Sequence, residues 1–376
     1  MHIRWRASKE NKGALIMKIL HITATHLNPT GGVPVVLREL ISEQNKCDGI
    51  ESRILSINAP VDKMNSPYFD YLDGGKVQEY LRNNKPDIVF IHSFFHPEYI
   101  TVASTLKKMN VPFVLEPHGS FGKMAMSKSH IKKVVANHTV FHSLIRDAKA
   151  YIYTNQAEKE DSVYKAPMDF VIPNGVVYSD VVNSKEKNFD QMIEPVFYYL
   201  GRYDVHHKGL DYLFDALDIL ESQGQKLHII FYGTGTSEQI NYVRNRISKY
   251  KIVDASEAGT IFGDDKKKAL EKANILVLTS RYEGSPMTIL DALTYGNPCL
   301  VTPGTNVAEE MVKNNVGWKT ELNAEAIAQC FLIAQKDYKD KGKQYYCNCK
   351  KYVADNYSWD KIAAASVAAI ESILKN

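Results

Sequence analysis

The chain is 376 residues long, 44% hydrophobic and 24% charged, with a formal net charge of +3. That length exceeds what one hydrophobic core usually serves, so two domains of ordinary size are expected. The composition is globular, without low-complexity tracts or a short repeat, and the mild charge gives no footprint for nucleic acid.

Five cysteines (Cys47, Cys299, Cys330, Cys347 and Cys349) form no CxxC pair and no zinc-spaced cluster. With their odd count this predicts a reduced, cytoplasmic protein. No apolar run approaches the roughly 18 residues needed to span a bilayer. Residues 1–16 are polar and basic, are not expected to be a secretory signal, and are expected to be a mobile extension. The folded part is expected to start at Met17.

Lys18 to Thr23 reads as a strand, and Gly31 and Gly32 then precede a helix carrying Val33, Val36, Leu37 and Leu40 at helical spacing. A Gly pair at such a junction lets a phosphate approach the backbone, or is a plain turn. It is neither GxGxxG nor a Walker loop. Further strands are expected at Asp87–His92, Pro112–Glu116, Tyr151–Thr154 and Phe170–Ile172. Their alternation with helices predicts a parallel sheet. His118 and Gly119 follow the strand ending at Glu116, a placement that favours a site residue over an ordinary structural His. His96 and Glu98, near the end of the preceding strand, have no metal-ligand spacing. Between Lys123 and Lys149, six Lys and Arg face one acid, Asp147, with Met and Ile/Val interleaved. Such a stretch is a solvated helix face with ordinary core positions, or a surface for anionic lipid headgroups.

Residues 177–195 are polar and without periodicity, and are expected to be the linker between a domain at 17–176 and one at 196–357. Val196 opens a new series: its strand ends at Gly201-Arg202, and Lys208-Gly209 precede an amphipathic helix. Two cations on one strand-to-helix loop can hold a diphosphate; they also occur as surface charges. Leu227–Tyr232 is a further strand, ending in Gly233-Thr234-Gly235. Asn274–Leu278 is a buried strand, and Ser285 or Pro286 opens a helix that runs to about Tyr295 and stops at Gly296. Glu283 therefore sits at the carboxyl end of a parallel strand, where open α/β sheets bind ligands. Asp291, about two helical turns on, can project from the same side. The backbone N–H groups of Gly284, Ser285 and Met287 form a helix N-terminus suited to oxygen-rich groups. Two carboxylates there suit a polyol, or are a loop acid and a solvated helix acid. From Trp359, a last helix carries Ile362, Ala363, Val367, Ile370 and Leu374.

Taken in order, these segments resemble the family 4 retaining glycosyltransferases, enzymes of the GT-B fold. Glu283 and Asp291 are similar to that family's Glu-x7-Glu motif, with Asp in place of the second Glu. GRYDVHHKGLDYL resembles its GR…KG motif. PHG, with His118, is similar to the segment whose His contacts the donor sugar. YTNQAE resembles Thr-Ser-x-x-Glu, with Glu158 as its acid, and IPNGV resembles the sequence closing the first domain.

The resemblance implies an α/β protein of two Rossmann-like domains with parallel sheets facing a central cleft. It also implies that residues 358–376 form a helix crossing back to the first domain. The second domain would bind a nucleoside-diphosphate sugar. There Arg202 and Lys208 hold the pyrophosphate, Glu283 faces the sugar and Asp291 holds the ribose. Gly233 lies near the nucleotide, and the backbone around Phe262 reads the base. Gly31 and Gly32 face the donor phosphates from the first domain, and His118 contacts the sugar. No cofactor and no metal is expected. The acceptor is expected to be a lipid-linked or polysaccharide precursor in surface glycan assembly, met at the inner membrane surface. A nucleotide-sugar epimerase and a catalytically idle nucleotide-sugar-binding protein are the alternatives.

Overall fold

A computed structural model describes residues 16–24, 32–57, 68–71, 76–123, 126, 141–176, 180–181, 186–189, 194–284 and 287–375. The chain divides into two compact units: Met1–Gly175 with Trp359–Asn376, and Val176–Ser358.

The first unit is built on seven strands: β1 (Met17–Thr23), β2 (Ile50–Ser56), β3 (Phe69–Tyr71), β4 (Ile88–His92), β5 (Phe113–Glu116), β6 (Ala150–Tyr153) and β7 (Met168–Val171). They pair in the order β3-β2-β1-β4-β5-β6-β7, every pair parallel. The central strands are apolar almost without a break because helices cover both faces of such sheets. Ile88–His92 and Phe113–Glu116 are buried at every position. The sheet order reverses at β1 and β4, and there the register sets Thr23 opposite His92 and His92 opposite Glu116. The last helix, Trp359–Lys375, belongs to this unit and packs on the helix Gly32–Gln44. Trp359 fills the space above Gly175, where an added Cβ would lie 2.5 Å from the indole.

The second unit has six parallel strands: β8 (Val196–Arg202), β9 (His228–Thr234), β10 (Asp254–Gly259), β11 (Ile275–Leu278), β12 (Cys299–Val301) and β13 (Gly317–Lys319). Their order, β10-β9-β8-β11-β12-β13, is the doubly wound arrangement with its switch point between β8 and β11. The helix Leu210–Ser222 buries Leu210, Leu213, Phe214, Leu217 and Leu220, the helical-period face that the sequence announces. Ser237–Ile247 begins with a capping box, Thr236 and Gln239 each bonding the other's backbone N–H. The 33-residue helix Ala324–Asn356 was not anticipated; it bends at Lys341, whose φ of −133° leaves the helical range.

Residues 186–189, within the stretch expected as linker, pack on this unit. Lys187 is 8% exposed, and its ammonium donates to the backbone carbonyls of Leu270, Glu271 and Ala273. Those carbonyls close the helix Gly263–Lys272, where a cation suits the helix end. Among the described residues, no helix is long and apolar enough to cross a membrane.

Candidate active site

The second unit's switch point joins the loop after β8 to the loop after β11. Arg202 is the exposed last residue of β8, and its guanidinium makes no ion pair among the described residues. The next turn is closed by Lys208 N–H to Asp204 O (2.9 Å) and His207 N–H to the Asp204 carboxylate (3.0 Å). Gly209 then takes φ +63°, and a Cβ there would lie 2.0 Å from Thr279 O. The glycine lets the two loops touch. Thr279 Oγ1 donates to the carbonyls of Lys208 and Gly209.

Arg281 clamps the same pair of loops. Its N–H donates to His207 O (2.9 Å), and its guanidinium holds Asp211 bidentately (2.9 and 2.6 Å) while lying 4.7 Å over the Tyr212 ring. His207 stacks on Tyr282 at 4.2 Å and bonds Tyr282 O at 2.8 Å.

The outcome of this clamping is the position of Glu283. Lys208 Nζ lies 2.5 Å from Glu283 Oε1, and Ser280 Oγ donates to the same oxygen at 2.5 Å. Asn306, at φ +63°, donates from Nδ2 to Glu283 O at 2.6 Å. The Lys208 and Glu283 side chains are only 12% and 10% exposed. Lys208 keeps two further N–H donors beyond the one given to Glu283.

Asp291 lies on the helix Met287–Thr294 and pairs with Lys266 Nζ at 2.5 Å, both side chains part-exposed. Lys266 stands one turn into the helix Gly263–Lys272, whose N-cap, Phe262, is 54% exposed. Met287 is the first described residue of its helix and is half-buried against the core. Gly284 is described as a bend, while Ser285 lies outside the described residues. Gly233 has a packing reason of its own: a Cβ would lie 2.2 Å from Gly201 O. In the first unit Gly32 starts the helix Gly32–Gln44, and Gly31 lies outside the described residues. Of the basic stretch, Lys128, Lys132 and Lys133 also fall outside them; Arg146 pairs with Asp147.

His118 sits at φ +49° just past β5, fixed by Glu158. That carboxylate accepts from Gly119 N–H (2.5 Å), Thr154 N–H (2.8 Å) and Thr154 Oγ1 (2.5 Å). Asn155, standing where the similar motif has Ser, caps the helix Gln156–Asp161 by accepting from Glu158 N–H at 2.7 Å. His118 Nε2 is 3.2 Å from His92 Nδ1, and His92 Nε2 is 2.9 Å from His21 Nδ1. The Glu116 carboxyl lies 3.3 Å from His92 and 3.6 Å from His118. Burial lowers His118 to about 4, and it raises Glu116 to about 8, aided by the nearby Glu158 charge. Sequence reasoning missed Lys266, Ser280 and Asn306, and it gave no role to His92 and Glu116, which open the polar clusters at two strand ends. Only His92 and Glu116 carried a signal, since both end parallel strands at the switch-point side.

Two family models match in succession, Glycosyltransferase Family 4 over residues 30–179 and Glycosyl transferases group 1 over residues 182–352. Together the two models take in most of the chain and indicate a family 4 glycosyltransferase. An uncharacterized glycosyltransferase of Methanocaldococcus jannaschii is 26% identical over 310 residues, covering 76% of this chain and 75% of that one. The lipopolysaccharide 1,6-galactosyltransferase of Salmonella typhimurium is 30% identical over 119 residues, 31% of this chain and 33% of the relative. Among solved structures, Anabaena HepE in complex with UDP superposes with a TM-score of 0.75 at 15% identity, covering 95% of this chain and 100% of that one. The expected GT-B architecture is therefore present, including a last helix that returns to the first unit. The family model covering residues 182–352 contains the whole Arg202–Lys208–Glu283–Asp291 set.

Proposed function

We propose that this glycosyltransferase moves a hexose-type sugar from a nucleoside-diphosphate sugar to an acceptor with retention of configuration. The observation that carries this reading is the Lys208–Glu283 pair at the second unit's switch point, with Arg202, which makes no ion pair among the described residues, at the end of β8. A donor diphosphate meets Arg202 and the two free Lys208 protons, which stabilise the charge developing as it departs. Glu283, fixed by Ser280 and Asn306, accepts hydroxyls of the sugar. Asp291 accepts those of the ribose, with Lys266 as the cation it holds beforehand. Gly233 and the backbone at Phe262 adjoin the nucleotide. His118, neutral near pH 7, is the further residue assigned to the sugar, on its resemblance to the family's PHG segment.

No side chain of this set is placed as a nucleophile, so the donor phosphate takes the acceptor proton on the face it leaves. The two cations do the work that a metal does elsewhere, and transfer proceeds without one. The acceptor is a lipid-linked or polysaccharide precursor of a surface glycan, met by a cytoplasmic enzyme at the membrane surface. The basic stretch from Lys123 to Lys149 and the lipopolysaccharide-acting relative support that choice.

The reading is tested by incubating the enzyme with sugar nucleotides and lipid-linked acceptors in EDTA. Transfer that needs an acceptor, retains the anomeric configuration and persists in EDTA is expected. Donor conversion without acceptor would point to an epimerase, and loss of activity in EDTA would remove the metal-free mechanism. Failure to co-sediment with anionic vesicles at low salt would remove the membrane-surface acceptor.

A further inference from the structure

The first unit holds a second constellation that the transfer chemistry does not require. Three donor atoms from His92, Glu116 and His118 converge at the carboxyl ends of β4 and β5. His92 Nδ1 lies 3.2 Å from His118 Nε2, and the two oxygens of Glu116 divide between them, Oε2 at 3.3 Å from His92 Nδ1 and Oε1 at 3.6 Å from His118 Nε2. With one oxygen counted, the three donor atoms all lie within 4.8 Å of one another. A tetrahedral zinc ion with bonds of about 2.0–2.1 Å sets its ligand atoms roughly 3.3 Å apart. The two nitrogens therefore already stand at the separation of two zinc ligands, with the Glu116 carboxylate beside both. Among the described residues, no other group of His, Cys, Asp and Glu converges in this way.

An independent observation comes from behind the cluster. Gln44 Oε1 accepts from Ser52 Oγ at 2.6 Å, a hydroxyl-to-oxygen distance, while Gln44 Nε2 donates to Ser366 Oγ at 2.8 Å. With the amide in that orientation, His21 Nε2, 3.0 Å from the same Oε1, is the protonated nitrogen. His21 Nδ1 is then a lone pair and His92 Nε2 donates to it. That leaves the His92 Nδ1 lone pair aimed at Glu116 and His118. A histidine whose far nitrogen is committed as a donor is the form that ligates metals, and such outer hydrogen bonds fix its tautomer and ring.

We propose that His92, Glu116 and His118 form a binding site for zinc or a similarly borderline divalent cation, with the fourth position open to water. Two imidazoles and one carboxylate suit zinc, whereas magnesium prefers all-oxygen octahedral sites. The site is built wholly from the first unit, and His118 is the residue it shares with the set proposed for transfer. Its consequence rests on the proposed function: zinc occupies His118 Nε2 and fixes the ring that would serve the sugar. Zinc is therefore an inhibitor of transfer rather than its cofactor.

The test is equilibrium dialysis of the EDTA-stripped full chain against zinc alone, with magnesium in parallel and cobalt as an absorbing substitute. One zinc per chain, a tetrahedral cobalt spectrum and no matching magnesium uptake are expected. Glu116→Gln and His118→Asn, the second chosen because Asn tolerates φ near +49°, should each bind zinc at least about 100-fold more weakly. That exceeds the roughly 10- to 100-fold effect of an outer-shell change. Circular dichroism confirms that each variant is folded. Absence of stoichiometric zinc, or zinc binding unaltered in both variants, overturns the proposal. This readout needs no turnover, so zinc binding in a protein without transferase activity would sink the proposed function and leave the site standing.

Discussion

Lys208 and Glu283 form a 2.5 Å ion pair between two strand-to-helix loops that are 75 residues apart in sequence. Both side chains are nearly buried, so removing one partner strands the other charge. Lys208→Met is expected to destabilise the second unit by about 3 kcal/mol, as for other broken buried pairs. The double variant Lys208→Met/Glu283→Gln should recover most of that loss. Thermal unfolding of the four proteins gives the coupling; strictly additive effects would show that the pair carries no net interaction.

The proposed function has Asp291 accept from a ribose, and hydrogen bonds to a charged group contribute about 1.5–3 kcal/mol. Asp291→Ala should therefore raise the donor KM about 10- to 100-fold with a smaller change in kcat. Asp291→Glu, which restores the longer acid, should keep the donor KM near the parent value. An unchanged KM in the Ala variant would remove Asp291 from the donor site.

Gly209 and Gly224 both have positive φ, but their surroundings differ. A Cβ on Gly209 would lie 2.0 Å from Thr279 O, while one on Gly224 meets nothing within 4 Å. Gly224→Ala should cost only the backbone strain, about 1–2 kcal/mol. Gly209→Ala should cost clearly more and also impair donor binding, because Lys208 moves with it. Equal losses of stability in the two variants would contradict the close approach of the loops.

Much of the fold was legible because parallel strands between helices read as apolar runs with turn signals: Ile275–Leu278, Val196–Arg202 and Ile88–His92 all declare themselves. The helix Ala324–Asn356 did not, since charge and polarity surround its buried positions and it bends at Lys341. At the candidate site, Arg202, Lys208 and Glu283 stood out because glycine and strand ends flank them. Lys266 could not: it is the first of three consecutive lysines, and only the fold decides which of them meets Asp291. Glu116 and His92 were visible as strand-end polar residues, but their meeting was not. Each is an ordinary strand-end residue until the register of β4 and β5 sets them side by side.

Burial holds His207 below the ordinary histidine value of about 6.5, with Glu283 and Lys208 acting in opposite directions. Its folded value is depressed relative to the unfolded chain, so the unfolded state binds the proton first. The resulting stability is fully present above about pH 6.5 and is lost as pH falls through the folded value. Proton NMR should find the midpoint of the His207 titration below the ordinary histidine value. His207→Gln should flatten the acid-side loss of stability. A ring already charged at pH 6.5 would contradict its buried stacking on Tyr282.

The most direct measurement is calorimetric titration with UDP, GDP, ADP and CMP, of the parent enzyme and of Arg202→Ala/Lys208→Ala. The account predicts that one nucleoside diphosphate binds the parent with unit stoichiometry and that the double variant loses this binding while remaining folded. Binding that survives both substitutions, or no nucleotide binding by the parent, would contradict the assignment of the β8–β11 loops as the donor site.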